Sequence, residues 1–81
     1  MAETLKEVFI IKATSKFTND IHYVKIDDGY VELVDHNSDA TIYDDYESAK
    51  AAIEEFCDGE ETQEYTVASM MISFEEYMTE H

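Results

Sequence analysis

The chain has 81 residues and carries 20 carboxylates against five lysines and no arginine, a formal net charge of −15. That balance excludes direct nucleic-acid binding, which needs a basic footprint, and it disfavours anionic lipid surfaces. A chain this short is one domain, residues 1–81, and buries only about 60–65% of its unfolded surface. With 44% apolar residues and six tyrosines it still has enough for a packed core, so disorder is not expected.

A single cysteine, Cys57, excludes an internal disulfide and suits a reducing compartment. The opening MAETLKEVFIIKAT lacks the basic and long apolar regions of a signal peptide. No apolar run approaches the ~18 residues of a membrane span. The expected location is therefore the cytoplasm.

From Glu7 to Ala13, EVFIIKA puts Val8 and Ile10 on one face and Phe9 and Ile11 on the other, which predicts a central strand. Ser15 to Asp20 is a polar loop. Asp28-Gly29 is a type I′ hairpin turn. Counting outwards from it, Asp27 faces Tyr30, Ile26 faces Val31, Lys25 faces Glu32, Val24 faces Leu33, Tyr23 faces Val34 and His22 faces Asp35. In this register Val24, Ile26, Val31 and Leu33 share one face, and Lys25 meets Glu32 on the other.

Asp35 to Asp39 reads as a turn, and Thr41 to Tyr43 as a short additional strand. Ala40 to Glu61, ATIYDDYESAKAAIEEFCDGEE, carries one amphipathic helix. Ala49, Ala52, Ile53 and Phe56 form its buried stripe at i, i+3, i+4 and i+7. Asp44 is the expected N-cap with Glu47 at N3, and Gly59 the expected C′ residue. Tyr65 to Ile72, apolar on both faces, predicts a second interior strand. Ser73-Phe74-Glu75-Glu76 opens a short closing helix, capped by Ser73 and stapled by Ile72 and Tyr77, with Phe74, Tyr77 and Met78 on one face. The order β-β-β-(β)-α-β-α is an α+β domain with a small antiparallel or mixed sheet of three to five strands, one main helix and a short C-terminal helix.

Catalytic chemistry finds little support. His22 opposite Asp35 lacks a nucleophilic third partner, and Cys57 among carboxylates reads as a packing thiol. Asp35, Asn37 and Asp39 match the first three liganding positions of an EF-hand loop and Ile42 its apolar position. Ala40 stands where Gly is required, and Tyr46 replaces the bidentate Glu. No metal, cofactor or enzymatic activity is expected. Instead, Glu47, Glu54, Glu55 and Asp58 on the helix, Glu60, Glu61 and Glu64 after it, and Glu75 and Glu76 near the end form a candidate acidic face for a partner. A second candidate is the sheet face bearing Tyr23, Tyr30 and Val34, suited to a protein contact or a homodimer.

In size, acidity, tyrosine content and the run ATIYDDYESAKAAIEEF, the chain resembles the small acidic proteins of phages and mobile elements, among them anti-CRISPR and anti-restriction inhibitors that act as DNA mimics. The resemblance implies a non-enzymatic phage protein in the cytoplasm of a host bacterial cell. Its partner would be a basic nucleic-acid-binding protein, such as a CRISPR effector, inhibited by carboxylates presented to a basic groove. The alternative is a small interaction or homodimerisation domain using its sheet face, with acidity serving only solubility.

Overall fold

A computed structural model describes residues 4–57, 61–73 and 75. Four antiparallel strands form one sheet: β1 (Leu5–Ser15), β2 (Ile21–Asp27), β3 (Tyr30–Val34) and β4 (Gln63–Ser73), in the order β3-β2-β1-β4. Among the described residues α1 (Tyr46–Phe56) and a 3-10 turn, Asn37–Asp39, complete an α+β fold. No helix among the described residues is long and apolar enough to cross a membrane. The expected closing helix falls on Phe74 and residues 76–81, outside the described residues, as does Gly59.

The hairpin forms in the register read from the sequence, from Tyr23↔Val34 to Asp27↔Tyr30. Asp28 and Gly29 both adopt positive φ, 51° and 84°, as a type I′ turn requires. β1 is central as expected, pairing with β4 over its whole length, Leu5↔Ser73 to Ser15↔Gln63.

β4, however, is an edge strand and not an interior one. Apolar side chains on both faces report that both faces are covered. They do not report a neighbour on each edge. On the face under α1 the core comprises Ile11, Ala13, Val24, Ala49, Ala52 and Cys57. On the opposite face Val8, Ile10 and Ile72 are buried within the single chain, so this row alone gives no reason to invoke a second copy.

β1 and β2 pair directly only from Lys12↔Tyr23 to Thr14↔Ile21. Beyond that point the segment 41–43 enters between them. The Phe9 N–H donates to the Tyr43 carbonyl at 2.9 Å, and the Tyr43 N–H donates back to the Phe9 carbonyl at 2.7 Å. On its other side Thr41 serves β2: its N–H donates to the Val24 carbonyl at 3.2 Å, and its Oγ1 accepts from the Ile26 N–H at 2.7 Å. The short strand expected at Thr41 to Tyr43 is thus a single bridge. It splays the β2–β3 hairpin away from β1, and with α1 packed on β1 and β4, Val31 and Leu33 are each 39% exposed on the face they share with Val24 and Ile26.

The helix also departs from expectation at both ends. Its N-cap is Asp45, whose Oδ1 accepts from the Ser48 N–H at 2.7 Å. Asp44 lies outside the cap, so Glu47 is not at N3 and the expected capping box does not form. At the other end Phe56 is exposed and Cys57 takes the interior place, its N–H donating to the Ile53 carbonyl at 2.9 Å. The buried stripe is therefore Ala49, Ala52, half-buried Ile53 and Cys57.

Two stability predictions follow from this packing. Ile11→Ala, at a fully buried site, should cost about 2–5 kcal/mol, whereas Phe56→Ala should cost about 1 kcal/mol or less; chemical denaturation measures both. Gly29→Val has open space around its new Cβ, so its cost is the left-handed backbone alone, about 1–2 kcal/mol in the same assay. Unchanged stability at Gly29 would contradict the turn.

Candidate functional site

The acidic candidates occupy two layers. Glu47, Glu54 and Glu55 sit on α1 and are exposed. Residues seven apart lie about 10.5 Å apart along a helix, with Lys50 between Glu47 and Glu54, and consecutive Glu54 and Glu55 diverge by about 100° around the axis. The helix therefore presents two short acidic stripes and not one ladder. Glu64 pairs with Thr14, which puts its side chain on the sheet face away from α1. Glu61 lies beside that end of β4, while Glu75 lies past the other end, roughly 35 Å from Glu64 along an extended strand. Asp58, Glu60 and Glu76 are outside the described residues. The described carboxylates are thus spread over an elongated body of 46 × 24 × 19 Å, not gathered on one face.

Their state is uniform nonetheless. Among the described residues the side chains of Glu47, Glu54, Glu55, Glu61 and Glu64 are all exposed and take part in no hydrogen bond or ion pair. The second candidate surface is one face, as the register requires. Tyr23 and Val34 pair side by side and half-buried, and Tyr30 stands 79% exposed at the hairpin end. Lys25 and Glu32 lie between them.

His22 and Asp35 meet as expected, Nε2 to Oδ1 at 3.3 Å. The His22 Nδ1 is buried with no partner among the described residues. Among the described residues no group of three or more His, Cys, Asp or Glu side chains converges as a metal site.

The proton affinities of Asp45 and Tyr43 are shifted. Hydrogen bonds from Ser48, chiefly that of its backbone N–H, hold the Asp45 carboxyl below its ordinary value. Burial, with a smaller contribution from Cys57, pushes the Tyr43 phenol above its ordinary value, so it stays neutral beside the bridge to Phe9.

Two concavities were not legible from the sequence. One, of about 400 Å³, opens where the hairpin splays from Asp39, Ala40, Thr41 and Ile42, with Lys25 and Asp27 on its other wall. The other, of about 330 Å³, lies between α1 and β4, lined by Tyr46, Lys50, Ile53 and Glu54 on the helix and Tyr65, Thr66 and Val67 on the strand. Finding the second requires knowing that β4 is an edge. The available signal was the near absence of charge in QEYTVASMMIS, which holds only Glu64.

Comparison with family models, with curated proteins and with solved structures gives no match.

The cap yields a pH prediction. Because the folded-state pKa of Asp45 is lowered, its contribution to stability is present above the ordinary carboxylate range, near 4, and is lost as pH falls through it. The difference in Tm between the wild type and Asp45→Ala should be widest near neutrality and narrow in acid; a gap independent of pH would contradict the cap.

Proposed function

We propose that this chain is a non-enzymatic acidic binding protein that inhibits a nucleic-acid-handling protein by presenting carboxylates to a basic groove. A host bacterial protein of the cytoplasm, such as a CRISPR effector, is the kind of partner this describes. What carries the proposal is the state of the carboxylates: Glu47, Glu54, Glu55, Glu61 and Glu64 are exposed and uncommitted among the described residues. A charge of −15 is well beyond the magnitude of about 2–8 that solubility asks of a small domain. Self-repulsion on that scale weakens the compact state, and a cationic partner would relieve it.

The spread of charge over both layers favours a groove that surrounds the chain over a flat docking site. Long-range attraction would then dominate association and make it salt-sensitive, with screening over about 8 Å at physiological salt. Self-association through the sheet face is the competing reading. The exposed ring of Tyr30 supports it, while the half-burial of Tyr23 and Val34 leaves that face little apolar surface to offer.

Changing Glu47, Glu54 and Glu55 together to Gln removes three charges and keeps the packing. A partner captured from a bacterial lysate at low salt should bind the triple variant more slowly, with a shallower salt dependence, and duplex DNA should compete with the wild type for it. Unchanged association with DNA unable to compete would overturn the proposal.

A further inference from the structure

The hydrogen bonds at Phe9 determine what β4 offers to solvent. Both backbone groups of Phe9 point to Tyr43, on the β2 side of β1. Backbone groups of successive strand residues point to alternate edges, so the even-numbered residues of β1 point to β4. The Lys16 N–H agrees with this alternation, donating toward the β4 side to the Thr62 carbonyl at 3.0 Å. Lys12↔Thr66, Ile10↔Ala68 and Val8↔Met70 are therefore the hydrogen-bonded pairs of the ladder. Val67, Ser69 and Met71, the residues between and beyond them, turn their N–H and C=O groups to the outer edge, where no bond to them is made among the described residues.

The groove between α1 and β4 opens onto this same edge. By register the Thr66 side chain belongs to the face away from α1, sharing it with Lys12 and Tyr23. Its place in the lining therefore means that the concavity reaches the strand's backbone, and since no described residue of β1 lines it, the groove lies on the outer side of β4. Edges of this length and low charge are ordinarily blunted by Lys, Pro or a bulge; β4 has neither Lys nor Pro, and its pairing with β1 runs without interruption.

We propose that the outer edge of β4 captures an extended basic segment of another protein, which adds as a fifth strand. Alternate side chains of that segment enter the groove against Ile53 and Val67, so they are apolar. The intervening ones pass over the opposite face beside Glu64 and are Lys or Arg. Glu54 on the groove rim adds to the attraction. A second copy of this chain is disfavoured as occupant because it would bring two charges of −15 together. The proposal goes beyond the polyanion reading, since it depends on backbone groups that a DNA mimic would not use.

The test uses the whole protein with a capped six-residue peptide alternating lysine and valine, its glutamate–valine counterpart, and hexalysine. Amide exchange and NMR shifts should show the lysine–valine peptide slowing exchange at Val67, Ser69 and Met71, with neither control doing so. Ser69→Pro removes one outward donor and no ladder bond to β1, and should weaken that binding roughly five- to tenfold, while Ser69→Ala should not. Glu54→Lys, a surface change independent of the proline, should also weaken it. The proposal is overturned if the peptide fails to bind, or if it binds without protecting those three amides. A peptide-free dimer with the same amides already protected would assign the edge to a second copy instead and overturn it as well.

Discussion

The reciprocal hydrogen bonds between Phe9 and Tyr43 constrain more of this molecule than any other contact. They stop β2 from following β1 to its end, and so set the angle at which the hairpin leaves the body. They hold the segment before α1 against β1, which places the helix over β1 and β4 and not over β3. The Phe9 ring then meets Tyr46, the first residue of α1, edge-on at 6.5 Å and 88°, an arrangement aromatic quadrupoles favour. By committing the odd-numbered residues of β1 to one side, the same pair gives the even-numbered ones to β4 and leaves alternate backbone groups of β4 facing outwards.

What could be read from the sequence was whatever depends on nearest neighbours. The hairpin register follows from a two-residue turn that only Asp28-Gly29 satisfies well, together with a period-two pattern that a one-residue slip would scatter. The existence of α1 and the centrality of β1 were legible for similar reasons. The cap was missed by one residue because Asp44 and Asp45 are chemically equivalent candidates, and only the extended backbone of Asp45, φ −143° and ψ 165°, aims its oxygen at Ser48. Phe56 lies on the apolar stripe by angle but at its last turn, where periodicity says nothing about how far the sheet beneath extends.

The candidate site was less legible than the fold. Exposure of the acidic residues could be expected from their chemistry, but their distribution could not. Glu64 and Glu54 are ten residues apart in sequence and fall in different layers, one on β4 and the other on α1. The face of Glu64 depends on its pairing with Thr14. Whether β4 was interior or edge depended on a strand count that no local pattern contains. The uncharged run QEYTVASMMIS was visible, yet without its place in the sheet it read as core.

An uncharged edge in so acidic a chain has a physical logic. Backbone pairing acts over a few ångströms and is indifferent to sequence, so a bare edge by itself would pair with any other bare edge, its own copy included. Charge acts from further out, over about a Debye length of 8 Å, and reaches an approaching chain before the edge does. A chain of net charge −15 therefore repels other copies of itself, and most acidic proteins, before strands can meet. It draws in chains of opposite sign. On the proposed capture by β4, a field of that sign, with Glu64 the single charge on the strand itself, would let an otherwise promiscuous edge discriminate by the sign of its partner. Selectivity then resides in the long-range field, and the short-range hydrogen bonds need only hold what that field admits.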